Sequence, residues 1–489
     1  MTGPLCAGLA DLIAARIDGA GSGPTAHRLQ ACLAALAEPA PRLAVLGGHS
    51  DGVSTVVDTI LGARTAAVGR VSTASVVGWF CYGESGVLRA IPRDGDPRAI
   101  SWAAAARLPA DLTGLGLTVR EIERIVVRAP LDLLRDWTVI DVPGMRSGCR
   151  RVPAVLAEAD AVLLVLPEPG PDPGPTVASV RRFAATTGLT AANTVGVLSR
   201  LERLAVADAD PWPAAQRVAR TYGDRLRGLL VDPIPVAGLL AAAALPGGFD
   251  EDHARMVRAL RGADPQRLAL ALTDEWEFRD WTDGPVCRQD RLRLVGMIGV
   301  HGIRELVAAD AEDATTFRAV LWDRSGAAAL VARVTGPLRA AGDRLRCARL
   351  LAAAERAVVR AAGPERACEL AALGDELAAY RNRPELAQVR LAGALTDLLS
   401  GRCRLPAADA DALETLAAGV HTAGCLGLPA DADPGLVTEA ARKAATHWST
   451  WESADVSRRL RGHVRAAREL SQRLALSAAG PGPHREDDG

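Results

Sequence analysis

Between Leu43 and Val236 the chain repeats one pattern: a short apolar run, a turn, then apolar residues spaced three or four apart. Short runs rich in β-branched residues predict strands, and the wider spacing predicts helices. Strands are expected in LAVLGG (Leu43–Gly48), ASVVGWFCY (Ala74–Tyr82), IERIVVRAP (Ile122–Pro130), WTVIDVPG (Trp137–Gly144), DAVLLVLPEP (Asp160–Pro169), TVGVLSRL (Thr194–Leu201) and Ile234 to Val236. Strands alternating with helices predict an α/β unit with a mostly parallel sheet. PEPGPDPGP (Pro167–Pro175) reads as a rigid surface loop within it. Ahead of this unit, Leu5 to Ile17 and His27 to Leu36 have the helical period, split by the turn-forming Asp18 to Pro24.

After PGGFDEDHA (Pro246–Ala254) the strand patterns cease, and Ala/Leu/Arg-rich helices are expected from about Asp264 to Ala479. They break at TDGP, AAGPER, LSGRCRLPAADAD and LPADADPG, with no fixed period, so a bundle is expected rather than a repeat array. The expected division is an N-terminal helical segment (1–40) packing on the stalk, the α/β domain (41–245), a helical bundle or stalk (246–479) and a disordered tail (480–489).

Composition narrows the function classes. The 489 residues carry a net charge of −1, so no basic field points to nucleic acid. Aromatics are 3% against 49% apolar residues, which favours helices packed through small side chains. Of 57 basic residues, only Lys443 is a lysine. Nine cysteines without a C-x-x-C pair or Cys/His metal spacing suggest reduced thiols. Asp11 and Arg16 interrupt the first apolar residues, which argues against a secretory signal, and no apolar run approaches a membrane span. A soluble, cytoplasmic protein is expected, with peripheral attachment to the inner face of the cell membrane left open.

The candidate chemistry lies where strands end. Gly47, four intervening residues, Gly52 and then Ser54-Thr55 almost complete the phosphate-loop pattern G-x-x-x-x-G-K-[ST], between a strand and a helix as the motif requires. Val53 stands where that pattern has lysine, and Asp51 adds a carboxylate. A phosphate-loop lysine cancels charge on the β/γ-phosphates, so replacing it and adding an anion shifts the local charge by about two units. The backbone N–H groups and the Ser54 hydroxyl still suit an anion and Mg²⁺; the alternative is a tight turn with a serine cap. VIDVPG (Val139–Gly144) ends a strand in Asp141-x-x-Gly144, a pair that in G-domain GTPases holds Mg²⁺ through water and senses the γ-phosphate. VGVLSRLER (Val195–Arg203) places Ser199-Arg200-x-Glu202 after another strand, where such proteins carry Asn/Thr-Lys-x-Asp to pair with guanine.

In order and spacing these motifs resemble the bacterial dynamin-like GTPases, and are closest to the shorter isoniazid-inducible dynamin-like proteins of mycobacteria and other actinobacteria. LGGHSDGVSTVVDTILGA resembles their phosphate loop and following helix, RVSTASVVGWFCY (Arg70–Tyr82) their first switch and strand. Arg293–Val307 and Asp323–Val334 are similar to segments after their G domain. The resemblance implies a dynamin-type G domain of the P-loop GTPase kind, a helical stalk, GTP or GDP with Mg²⁺ as ligands, and nucleotide-regulated assembly and remodelling at membranes. On that alignment Gly47, Asp51, Gly52, Val53, Ser54, Thr55, Thr73, Asp141, Gly144, Ser199, Arg200 and Glu202 surround the nucleotide, and Ser54 and Asp141 hold the metal. Ala74 takes the switch threonine's place with Thr73 one residue off, and Glu202 replaces aspartate, loosening the grip on guanine. Arg64, Arg70 and Arg146 flank the loops as possible sources of charge, or as solvated residues.

Three readings follow: a degenerate subunit partnering with an active dynamin-like GTPase or with itself, an active GTPase rescued by another cation, and a nucleotide-free adaptor. No catalytic residue is assigned. The stripe Ala327–Ala362 offers Leu, Val and Ala at helical spacing, for a partner, for lipid through its arginines, or for the internal core. The loop Leu399–Asp411, with Leu405 as its large apolar residue, is either a membrane tip or a solvated turn. EWEFRDW (Glu275–Trp281) suggests packing at a hinge.

Overall fold

The computed structural model describes residues 3–17, 23–48, 51–65, 76–101, 117–118, 120–142, 151–167, 174–187, 189–201, 204, 210–230, 233–360, 367–399, 402–419 and 422–479. Among them nine strands appear: β1 (Arg42–Gly47), β2 (Val77–Tyr82), β3 (Val87–Pro92), β4 (Arg98–Ser101), β5 (Ile122–Ala129), β6 (Thr138–Asp141), β7 (Ala161–Leu166), β8 (Thr194–Leu198) and β9 (Ile234–Pro235). The helices up to this point are α1 (Pro4–Ala14), α2 (Pro24–Leu36), α3 (Val53–Leu61), α4 (Leu133–Asp136), α5 (Arg151–Glu158), α6 (Gly174–Thr187) and α7 (Pro211–Arg225). One sheet runs in the order β4-β3-β5-β2-β6-β1-β7-β8-β9.

β1 lies parallel to both β6 and β7, and β8 and β9 continue the parallel series. From β1 the chain fills one side of the sheet, then crosses back to begin the other at β7. Ligands in open α/β sheets bind outside the carboxyl ends of strands at such a reversal, which places a site beyond Gly47. β2 runs antiparallel to β6, and β3 antiparallel to β4 and β5. The β3–β4 hairpin is missing from the sequence reading. Its first strand buries alternate residues, Leu88, Ala90 and Pro92, exposes Arg89 and ends at that proline beside a register shift. A one-sided strand ending in proline gives a weaker apolar signal than the doubly covered β7, AVLLVL, which is buried throughout.

The two faces of the sheet feed two cores. Leu43 and Val45 of β1 point with Val139, Leu163, Val165 and Val197 toward α3. Ala44 and Leu46 point with Ile140, Leu164 and Leu198 the other way. This period-two division leaves β1 buried on both faces. Each fully buried Leu or Val side chain contributes about 1.5–3 kcal/mol, so the register of β1 is strongly fixed.

The chain continues as α8 (Gly238–Ala244), α9 (Glu251–Arg261), α10 (Pro265–Ala271), α11 (Glu275–Asp280), α12 (Arg288–Ala308), α13 (Ala314–Arg324), α14 (Ala327–Arg333), α15 (Arg339–Val359), α16 (Ala367–Arg381), α17 (Ala387–Leu399), α18 (Ala407–Ala418), α19 (Pro434–Glu452) and α20 (Arg458–Ala478). Helix starts follow local chemistry: Asp250 caps α9 and Asp313 caps α13, each accepting from the N–H three residues on. Gly299, at φ 65°, breaks α12, and a π turn containing Pro337 joins α14 to α15. Phe249, Val257, Phe278, Ile298, Phe317 and Leu321 extend the core of one sheet face, so α9 to α13 share that core. Phe278 is the buried anchor of EWEFRDW; Arg291 donates to the carbonyls of Phe278 at 2.8 Å and Arg279 at 3.1 Å behind it.

The stripe from Ala327 faces inward. Ala327, Leu330, Val334, Leu338 and Leu345 cover the other sheet face, and Cys347, Leu350, Leu351 and Ala354 pack against α1, α2 and α16. These apolar residues are therefore core and are not free as a partner surface, although Val359 near the end of the stripe is exposed. Asp343 of α15 accepts the N–H groups of Leu5 and Cys6 at 3.0 and 3.1 Å, supplying α1 with its N-terminal cap. α17 to α20 enclose a further core around Leu391, Leu413, Trp448, Val464 and Leu470. In the Leu399–Asp411 segment Leu405 is half-buried against this core and Cys403 is buried, while Arg402 and Arg404 are exposed and residues 400–401 lie outside the described residues. No helix among the described residues is long and apolar enough to cross a membrane.

Candidate nucleotide site

The phosphate-loop candidate sits at the carboxyl end of β1, the position the sheet reversal marks. Two glycines shape it. A Cβ on Gly47 would stand 2.8 Å from the Val165 carbonyl oxygen and 2.9 Å from Val165 Cβ, so only glycine lets β1 close on β7 there. Gly52 has φ +90°, a left-handed turn that starts α3 and that residues with a Cβ adopt at a cost.

What fills the turn is unlike a phosphate cradle. The Gly48 N–H donates to Asp51 Oδ2 at 2.6 Å, and the Asp51 N–H returns to the Gly48 carbonyl at 3.3 Å. A side-chain carboxylate thus occupies a backbone donor that an incoming phosphate would use. Val53 is 7% exposed, with its Cγ2 beside Gly47. Its side chain belongs to the apolar core. Val53 and Asp51 therefore act together: one withdraws from the site and the other makes it negative.

The metal-holding candidates do come together. Ser54 Oγ, exposed at the start of α3, donates to Asp141 Oδ2 at 3.5 Å from the end of β6. Mg²⁺ takes oxygen ligands at about 2.1 Å in octahedral geometry, and a hydroxyl and a carboxylate oxygen this close fit two neighbouring positions. Burial pushes the Asp141 carboxyl up to about 7, the Asp58 charge adds to the rise, and the Ser54 hydrogen bond opposes it. Asp58 escaped the sequence reading. It is a buried carboxylate one helical turn beyond Ser54 that accepts the Thr65 N–H at 2.7 Å and hydroxyl at 3.1 Å. A single aspartate inside the apolar run VVDTIL was the available signal.

Ser199 is also drawn to the loop. Its hydroxyl donates to the Asp51 carbonyl, and the residue is buried, so the end of β8 tethers the turn. Arg200 follows with φ +59°, the one non-glycine residue with positive φ among those described. Such strained backbone is found where surrounding structure enforces it, often at sites. Thr55 lies alongside, its Cγ2 against Gly238. Arg64 turns away, donating to the Gly247 carbonyl at 2.8 Å. Thr73, Ala74, Gly144 and Glu202, with His49, Arg70 and Arg146, lie outside the described residues. The structure thus brings Gly47, Asp51, Gly52, Val53, Ser54, Asp141 and Ser199 to one place. Among the described residues, that place offers a hydroxyl and a carboxylate oxygen side by side, with the Gly48 N–H taken by Asp51.

No family model matches the chain. The isoniazid-induced protein IniC of Mycobacterium tuberculosis, from strains CDC 1551 / Oshkosh and ATCC 25618 / H37Rv, is 28% identical over 298 residues, covering 58% of this chain and 59% of that one. The chain thus spans about three-fifths of the length of the curated relatives it matches. Two solved structures of an oligomerised bacterial dynamin pair, described as sensing and tethering membranes over long range, align with 98% of this chain and 75% and 76% of theirs. Their identities are 11% and 10% and their TM-scores 0.32 and 0.33, too low to argue from. The chain is thus similar to the isoniazid-induced protein IniC, as the motifs led us to expect, and has a mostly parallel α/β sheet followed by helices.

Proposed function

We propose that this chain is a dynamin-like protein with a degenerate nucleotide site, binding GTP or GDP with Mg²⁺ weakly and hydrolysing GTP slowly or not at all. It would act in membrane-associated assembly with an active dynamin-like partner or with further copies of itself. The observation that carries the first part is the Asp51 carboxylate on the Gly48 N–H, beside a Val53 buried in the core. Two like charges about 5 Å apart at an effective dielectric near 20 repel by about 3 kcal/mol, so the loop opposes a triphosphate where a lysine would attract it. The assembly reading rests on the resemblance, and on sheet, motifs and helices persisting together although the loop is altered. On this reading residues 41–245 form the G domain, with 1–40 and 246–479 as the helical stalk.

The test has two arms. Purified protein should show Mg²⁺-dependent GTP turnover near background; isolation from native cells should recover a second dynamin-like chain or oligomers that float with anionic liposomes. A monomer absent from the lipid fraction would defeat the assembly half. A second reading, an active GTPase supplied with a cation from elsewhere, draws on the retained Ser54–Asp141 pair. Robust hydrolysis abolished by Asp141→Ala would establish it.

A further inference from the structure

α2 and α15 lie side by side, yet a hollow of about 420 Å³ remains between them. The cause is legible: α2 presents Ala31 and Ala35 there, and α15 presents Ala353 and Ala357. Such small side chains leave part of the space between neighbouring helices unfilled. The same face of α15 carries Arg349, Arg356 and Arg360, two turns and then one turn apart on one helix side, and Arg28 of α2 and Arg42 of β1 join them. Glu158 is the lone carboxylate in the lining.

The charges do not cancel. Arg42 is held by Glu38 and, at 2.9 Å, by Glu158, and Arg349 Nε donates to Asp160 at 2.6 Å. Among the described residues no carboxylate pairs with Arg28, Arg356 or Arg360. Arg349 Nη2 is buried and meets no hydrogen-bond partner among the described residues. Leaving a buried donor unmet is costly, and more so when the group is charged. Cys32 lies in the same wall; burial raises its thiol pKa while Arg349 and Arg356 pull it back, as expected if both cations reach that point.

We propose that this cavity binds a phosphate-bearing ligand, its oxygens met by Arg349, Arg356 and Arg28 and its less polar part lying over Leu350 and the alanines. A phosphate matches several guanidiniums better than a single carboxylate, because its oxygens accept from more than one fork at once. The volume falls within the small-ligand range, enough for a diphosphate or a phospholipid headgroup. An anion there would join α2, the start of β1, the end of α5 and α15 through one set of ion pairs. The ligand is a soluble phosphate ester or a lipid headgroup, and the two are separable by experiment.

The full chain would be titrated calorimetrically with inorganic pyrophosphate, and floated with vesicles of phosphatidylcholine with or without phosphatidylglycerol. The variants are Arg28→Ala/Arg356→Ala, which removes two exposed cations, Ala353→Leu, which closes the hollow and leaves every charge, and Ser54→Ala, a control at the β1 end. A soluble ester site gives saturable pyrophosphate binding, weakened at least tenfold by the first two variants and unchanged by Ser54→Ala. A headgroup site gives phosphatidylglycerol-dependent flotation that the same two variants weaken and Ser54→Ala does not. Neither behaviour, indifference to Ala353→Leu, or loss only in Ser54→Ala would overturn the proposal.

Discussion

At the end of β1 the backbone makes a glycine turn and helix start of the kind that holds phosphate, then places the Asp51 carboxylate in it. Between α2 and α15 there is no such backbone, yet five arginines surround a hollow. The first region has the geometry for an anion without the charge, and the second has the charge without the motif. Backbone N–H groups alone hold an anion weakly when a side-chain carboxylate competes for them. Unpaired guanidiniums need only space and an oxygen. The difference teaches that a loop's shape and its electrostatics can part company, so shape alone does not license an activity.

The largest expected effect concerns geometry. Gly47→Val forces a branched side chain onto the Val165 backbone, and overpacking of this kind costs about 1–3 kcal/mol. The urea midpoint should fall accordingly. An unchanged midpoint would mean that β1 and β7 are less closely joined than the described contacts require.

Next comes charge. Asp51→Ala with Val53→Lys removes the anion and restores the cation, and should raise nucleotide affinity at least tenfold, about 1.4 kcal/mol. Fluorescent-nucleotide titration measures it. No gain with an unchanged circular dichroism spectrum would mean the pocket is closed and would favour the nucleotide-free adaptor.

An effect of comparable size, dependent on pH, follows from Asp141. Its folded pKa of about 7 lies above the unfolded value near 4, so the folded state holds the extra proton between those limits. Stability from this group is present below about pH 4 and lost as pH rises through about 7. Without Mg²⁺, Asp141→Asn should therefore gain melting temperature over the parent chain as pH rises from 4 to 8, with little gain at the lower value. A difference that does not vary with pH would contradict the burial of this carboxyl. The smallest effect is expected of Ala353→Leu, which enters free space and should change stability by less than about 0.5 kcal/mol in urea unfolding.

Much of this was legible beforehand. β7 and β8 announce themselves as apolar runs, because burial on both faces leaves almost no polar residues in them. Gly47, Gly52, Ser54 and Asp141 were found by spacing, since a strand–turn–helix fixes where each must stand. Residues that act through tertiary contact were harder. Asp58 was hidden inside an apolar helix, and the tether from Ser199 joins positions 148 apart. The direction of the Asp51 side chain depends on a turn whose torsions no pattern specifies. Likewise Arg28 and Arg349 meet only once α2 lies on α15, so their shared cavity had no signature along the chain. The β3–β4 hairpin was lost because one-sided strands resemble polar loops.

Equilibrium titration of the purified chain with labelled GTP, GDP and ATP in the presence of Mg²⁺ bears most directly on the degenerate site. The geometry predicts weak binding of all three, with dissociation constants well above micromolar. Tight, Mg²⁺-dependent binding of GTP that is lost in Asp141→Ala would show that the loop opens to phosphate in spite of Asp51, and would contradict the degenerate reading.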